Sequence, residues 1–136
     1  MKVLSRGTVM EGGRAAFEVV AAQDDEARLV LTFVGPLHLH YRDPSLRIFL
    51  DELGRILAKC SFASIRMDFT QMPFCNDAGV YALMDILDAV YESVPGPVTV
   101  RRIAGDDWQV DALRVLLNLD ETANAARTTF EDVERA

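Results

Sequence analysis

Basic residues are in short supply in this chain: 14 lysines and arginines stand against 21 aspartates and glutamates, a formal net charge of −7. A surface of that sign repels phosphate, which excludes DNA, RNA and anionic membranes as main partners. Arg101-Arg102 is a local exception. Cysteine is scarce too. Cys60 and Cys75 lie far apart with no CxxC pair, so the expectation is two buried free thiols in a reducing compartment. No run approaches the roughly 18 apolar residues of a membrane helix. Met1 to Gly13 is polar, carries two basic residues and lacks an apolar segment, so no secretory signal is read there. A cytoplasmic location is expected. Gly-rich phosphate loops, nucleophile elbows, Ser/His/Asp orders and zinc spacings are all missing, which argues against an enzyme. Repeats and low-complexity tracts are missing as well.

What is present is an ordinary globular composition. The 136 residues are half hydrophobic and about a quarter charged, enough for one domain with its own core. Residues 1–13 read as an N-terminal tail or an extra edge strand, and residues 14–136 as a single domain. Ala15 to Ala21 reads as a strand, Gln23 to Glu26 as a polar turn, and Ala27 to Val34 as the return strand of a hairpin. Gly35-Pro36 breaks it. Asp43 is placed to cap a helix with Pro44 at its first position. Leu46, Phe49, Leu50, Leu53, Ile56 and Leu57 give that helix one apolar face.

Ser64 to Phe69 reads as a buried strand. A second helix is expected from about Asp77 to Tyr91, ended by Pro95-Gly96-Pro97. A strand follows over Val98 to Ile103. A third helix begins near Asp106 or Asp107, with Val110, Leu113, Leu116 and Leu117 turned inward. Ala125 to Thr128 is expected as a short edge strand. Thr129-Phe130-Glu131-Asp132 has the form of a capping box that opens a last short helix. The order β-β-α-β-α-β-α-(β)-α predicts an α/β fold: a mixed β-sheet with helices packed mainly on one face.

The most informative segment is Asp68 to Val80 (DFTQMPFCNDAGV). It reads as a buried strand, a short loop and the capped start of a helix. A helix N-terminus offers free N–H groups and the positive end of a dipole. A charge set there has a large local effect, and Asp77 sets one permanently. The plain alternative is that Asn76 and Asp77 only cap the helix, since Asn and Asp are among the best N-caps. Gly79, one turn in, reads either as a close approach to the loop after the hairpin or as a flat surface for a partner.

Asp68, Phe69, Thr70, Met72, Phe74, Asn76, Gly79 and Val80 match the pattern D-[apolar]-[ST]-x-[apolar]-x-F-x-[DN]-S-x-G-[apolar] of STAS domains, the fold of bacterial anti-sigma-factor antagonists. Further likenesses are Phe33 to Leu37, similar to the family's early strand and its G-x-L turn, and Leu116 to Glu121, similar to the stretch after its third helix. Thr129 to Glu134 resembles its closing helix. Asp107-Trp108-Gln109 resembles a subgroup of STAS-like regulators with a Trp-Gln pair there.

The resemblance implies a STAS-like domain over residues 14–136 and a non-enzymatic regulatory module that works by partner switching, without a cofactor. The implied partner is a histidine-kinase-like ATPase acting as a Ser/Thr kinase or anti-sigma factor, with a phosphatase as a further candidate and a homodimer left open. In that family a serine at the helix start is phosphorylated to break the complex. Here Asp77 holds that position and cannot be phosphorylated by a Ser/Thr kinase. Either Asp77 is phosphomimetic, or the partner reads its carboxylate directly. Thr70 is the nearest hydroxyl on the preceding strand. The implied docking surface comprises Asn76, Asp77, Ala78, Gly79, Val80 and Tyr81. Gly35, Pro36, Leu37, Thr70, Gln71 and Met72 flank it, and Asp85 extends it.

A rival reading is a small-ligand sensor or enzyme with a cleft near Asp68, His38 and Trp108. Asp68 would serve there as a base, or would instead shape the loop to Asn76. His38 and His40 form an H-x-H pair whose rings share a face on a strand. No carboxylate or cysteine has convincing spacing to complete a ligand set, Asp43 being nearest. The two are expected as surface or packing histidines, and no metal site is expected.

Overall fold

The computed structural model describes residues 1–40 and 44–134. Strands β1 (Lys2–Glu11), β2 (Arg14–Gln23) and β3 (Arg28–Val34) lead to helix α1 (Pro44–Lys59). Then come β4 (Ser64–Gln71), α2 (Asp77–Ser93), β5 (Val98–Ile103), α3 (Asp107–Leu116), α4 (Thr122–Arg127) and β6 (Thr128–Val133). The strands form one six-stranded sheet in sequence order. The pairs β1–β2 and β2–β3 are antiparallel, and β3 to β6 run parallel. This is the mixed α/β sheet that the pattern of strands and helices predicts.

Local chemistry explains the turns. Gly12 and Gly13 both have positive φ, 56° and 78°, the requirement of the two-residue hairpin turn that matches strand twist. At the next turn the Asp24 carboxylate accepts the N–H groups of Glu26 (3.0 Å) and Arg28 (2.9 Å) and the Arg28 guanidinium at 2.7 Å. The backbone bond from Arg28 is the main cause of a lowered Asp24 pKa.

Strand alternation sorts the two faces. Ile65, Met67 and Phe69 of β4 are buried under the helices, while Arg66, Asp68 and Thr70 face the other way and are partly exposed. Phe69 stacks on Phe33 with ring centroids 4.3 Å apart. On the open face Arg101 pairs with Asp68 (3.5 Å) and Glu131 (3.1 Å). The core joins Leu46, Phe49 and Leu53 of α1, Leu83, Ile86, Leu87 and Val90 of α2, and Leu113 and Leu116 of α3. Residues 2–11 are held as an edge strand by β2 and by α1 above. Gly7 makes room for α1: a Cβ there would stand 2.8 Å from Cβ of Phe49. Edge-to-edge pairing is discouraged by register irregularities in β1 and by Glu131 and Asp132 on β6.

Three expectations are corrected. Val110 is 43 % exposed. Asp106 caps α3 through its side chain, and the face that carries Leu113 and Leu116 takes in Gln109 one turn earlier. The tail is also reversed: 122–127 is helical, and Thr128–Val133 is a strand where a closing helix was expected. Parallel pairing with β5, from Val98↔Thr128 to Ile103↔Val133, satisfies the backbone of an otherwise open sheet edge. Thr, Phe and Val suit a strand, so tertiary pairing outweighs the local capping-box signal. The expected strand at Ala125 to Thr128 is mostly helix α4, which ends in Arg127. Its guanidinium donates to the carbonyls of Tyr91 (2.9 Å), Val94 and Gly96 (2.9 Å), closing the C-terminal end of α2. The expected cap Asp43 lies outside the described residues.

Gln109 ties α3 to the sheet. Only 1 % exposed, it accepts the Ile103 N–H (2.7 Å) and donates to the carbonyls of Phe69 (2.7 Å) and Met72 (3.1 Å). Its neighbour Trp108 donates its indole N–H to the same Met72 carbonyl at 3.1 Å. Gln109→Leu leaves buried donors and acceptors unpaired at about 1–3 kcal/mol each. The expected loss is roughly 2–4 kcal/mol in urea unfolding, whereas Val110→Ala on the exposed side changes stability by less than about 0.5 kcal/mol.

Candidate functional site

Helix α2 begins at a side-chain clamp. Asn76 is its N-cap, in extended backbone conformation. The Asn76 Oδ1 accepts the Gly79 N–H at 2.9 Å and the Leu39 N–H at 3.2 Å, and Nδ2 donates to the Leu39 carbonyl at 2.8 Å. One carboxamide thus caps the helix and pairs with a distant backbone as a strand would. Leu37 continues the pairing: its N–H donates to Phe74 O (2.9 Å), and its carbonyl accepts the Asn76 N–H (3.0 Å). The segment after β3 is therefore fastened to the loop before α2.

The close approach decides the role of Gly79. A Cβ there would stand 2.9 Å from both Cys75 Sγ and Leu37 Cγ, so the glycine lets loop and helix touch. Gly35 does similar work with φ +93°, where a Cβ would meet the Ala16 carbonyl oxygen at 2.3 Å. Leu37, Met72 and Gly79 are buried and shape the surface from beneath. Asp77, Tyr81, Pro36 and Gln71 are exposed, and Asn76, Ala78, Val80, Gly35 and Thr70 are half-buried.

Asp77 opens the first turn of α2 with its side chain in solvent. There it meets the positive end of the helix dipole. Along the same side Tyr81, Asp85, Asp88 and Glu92 are also exposed, at spacings of three and four that make one ridge. Tyr81 is 69 % exposed, and Phe74 in the loop before the helix is 48 % exposed. Partial burial, then Asp85 and Glu92, raise the Asp88 carboxyl above its ordinary pKa. Beside this ridge a groove of about 180 Å³ separates α1 from α2, lined by Leu39, Leu46, Leu50, Ala78 and Ala82 together with Arg47 and Asp85. The arrangement is a negative ridge with two exposed aromatic rings and an adjoining apolar groove.

The cysteines depart from expectation in one respect. Cys75 is half-buried, whereas Cys60 is exposed at the end of α1. Burial first, and the Asp77 carboxylate second, push the Cys75 thiol up to about 12. It is therefore a protonated, unreactive thiol at neutral pH.

The rival cleft is not assembled. Asp68 accepts the Thr70 N–H (2.9 Å) and hydroxyl (2.6 Å) and pairs with Arg101, so it shapes the loop. The same bond occupies the Thr70 hydroxyl. Trp108 is half-buried against the core, with its indole N–H on Met72. His38 lies against His40, ring centroids 5.0 Å apart and edge-on. The carboxylate that joins these imidazoles is Glu11, with the donor atoms of all three residues within 4.8 Å of one another. Sequence spacing missed Glu11 because it arrives from the tip of the first hairpin. It placed Phe74 only as a motif position and not as an exposed ring, and it missed the groove, which exists only once α1 and α2 are packed. The acidic ridge was open to reading from its spacing beyond Asp85.

Two measurements probe this geometry. Asn76→Ala loses the cap and both bonds to Leu39, and the expected cost exceeds the 0.5–2 kcal/mol of an ordinary N-cap, about 2–3 kcal/mol. Asn76→Asp keeps the acceptor and falls between the two. In native protein at pH 7 a thiol reagent should modify Cys60 first, and Cys75 only on unfolding, as read by peptide mass mapping.

At the sequence level no family model and no curated protein matches the chain. Among solved structures it is similar to apo-SiaC from Pseudomonas aeruginosa, with a TM-score of 0.51, 19 % identity, and coverage of 97 % of this chain and 99 % of that one. It is also similar to the anti-sigma factor antagonist SpoIIAA in its unphosphorylated form, with a TM-score of 0.50, 11 % identity, and coverage of 83 % and 87 %. At these identities the likeness speaks for the backbone: the chain has the STAS-like fold found in anti-sigma factor antagonists.

Proposed function

We propose that this protein is a non-enzymatic regulatory module that docks on a protein partner through the start of α2. Partner switching is the mode of action that the fold suggests. The observation that carries the reading is the exposed Asp77 at the head of an acidic, aromatic-bearing ridge beside an apolar groove. A carboxylate there supplies about one negative charge without a kinase, less than the −1.5 to −2 of a phosphoserine. The site is therefore held in one charge state, and the partner reads that state. The ridge favours a partner with basic groups, which steer encounter and set register. Tyr81 and Phe74 are the anchors, since exposed aromatics carry much of the energy of such interfaces.

The proposed partner class is a histidine-kinase-like ATPase that serves as Ser/Thr kinase or anti-sigma factor, with a phosphatase as the opposing component. Signal transduction to transcription is the proposed setting, in the cytoplasm. Among the described residues no helix is long and apolar enough to cross a membrane.

The test is charge reversal at Asp77, which is exposed and replaceable without unfolding the domain. Asp77→Lys should weaken capture of the cognate ATPase by about 2–5 kcal/mol, roughly 30-fold or more in Kd. Tyr81→Ala should weaken it by at least about 1 kcal/mol. D77S should bind with altered affinity and take up phosphate from the kinase and ATP, where the native chain does not. Identical partners and affinities for the native chain and Asp77→Lys would overturn the docking surface.

A further inference from the structure

We propose that Glu11, His38 and His40 form a surface site for a divalent transition-metal ion of the zinc type, held by two imidazoles and one carboxylate. This inference does not depend on the docking reading. Their ligand atoms lie within 4.8 Å of one another, although they come from two separate stretches of chain.

The backbone presents the three side chains with little freedom. Leu37 and Leu39 turn into the core, at 0 % and 6 % exposure, which sends the alternating His38 and His40 outward together. The flanking segment cannot drift. Leu37 makes an isolated parallel β-bridge with Cys75 of the loop before α2, and Leu39 is held on both its N–H and its carbonyl by the Asn76 carboxamide. Glu11 is the last residue of β1 and pairs with Arg14 across the Gly12-Gly13 turn. That tight turn sets its carboxylate beside the histidines.

The donor set selects the ion. Imidazole nitrogens suit zinc, copper, nickel and iron, whereas magnesium and calcium prefer all-oxygen shells. Zinc takes nitrogen ligands at about 2.0–2.1 Å, which puts neighbouring ligand atoms in a tetrahedral site about 3.3 Å apart. From a 4.8 Å cluster, small rotations of three exposed side chains close that gap. Three protein ligands leave a fourth position open to water or to a group from another molecule. The −7 net charge of the chain favours a cation.

The experiment uses the full chain without an affinity tag, freed of metal by a chelator. Zinc chloride is titrated by calorimetry and followed by the imidazole signals in NMR. The expected result is one zinc per chain with a micromolar Kd and shifts at both His38 and His40. Glu11→Gln, His38→Ala and His40→Ala should each weaken binding by at least about tenfold, the least that loss of even an outer partner of a metal ligand brings. All three residues are exposed, so circular dichroism should show folded variants. Excess magnesium should not compete. The proposal is overturned if no binding occurs up to about 1 mM zinc. Binding that is unchanged in Glu11→Gln, or that survives in the double histidine variant, overturns it equally.

Discussion

The Asn76 carboxamide is the contact on which this surface depends. Its oxygen caps the start of α2 by taking the Gly79 N–H, and its two ends also grip the Leu39 backbone. A carboxylate could cap the helix but has no proton to donate, and a hydroxyl would accept and donate from one atom, whereas the amide places acceptor and donor on two separate atoms. The consequence runs outward in both directions. On one side the first turn of α2 is fixed with Asp77 in solvent. On the other, the strand-like segment from Leu37 to His40 is held in alternation, with leucines in and histidines out. Gly79 is what makes the grip possible, because a side chain there would push Leu37 and Cys75 away.

A second fastening sits at the far end of the same loop. Gln109 and Trp108 both reach the Met72 carbonyl, and Gln109 also reaches Phe69 and Ile103. The loop from β4 to α2 is therefore pinned at its start by α3 and at its end by Asn76. Phe74 lies between the pins and stays exposed. Rigid support on both sides suits a recognition surface, since little conformational freedom is lost on docking. The charge at Asp77 is compatible with this stability: it sits where the helix dipole favours an anion, so the cap and the exposed carboxylate share one short stretch of chain.

Much of the architecture was legible because the signals were local. Strands at Ser64 to Phe69 and Val98 to Ile103, and helices starting at Pro44 and Asp77, follow from periodicity and turn residues. The tail was not legible. Thr129-Phe130-Glu131-Asp132 has good helix-start chemistry, yet a parallel edge on β5 offered six residues of backbone pairing that no local rule could anticipate. Val110 was misjudged for a related reason, and the burial of Gln109 went unread. A glutamine looks like a surface residue until three backbone groups from distant strands converge on it.

The sequence alone determined which residue types stand at the head of α2: an amide, an aspartate, and a glycine two residues further on. It also determined the sign of the surface and the alternation of strand and helix, because these depend on neighbours within a few residues. Only the tertiary structure decided what those residues face. It brought Leu39 to Asn76, Glu11 to the two histidines and α1 to the side of α2, pairs that lie far apart along the chain. Such contacts are set by the register of the whole sheet and the packing of helices over it, which no short window of sequence contains.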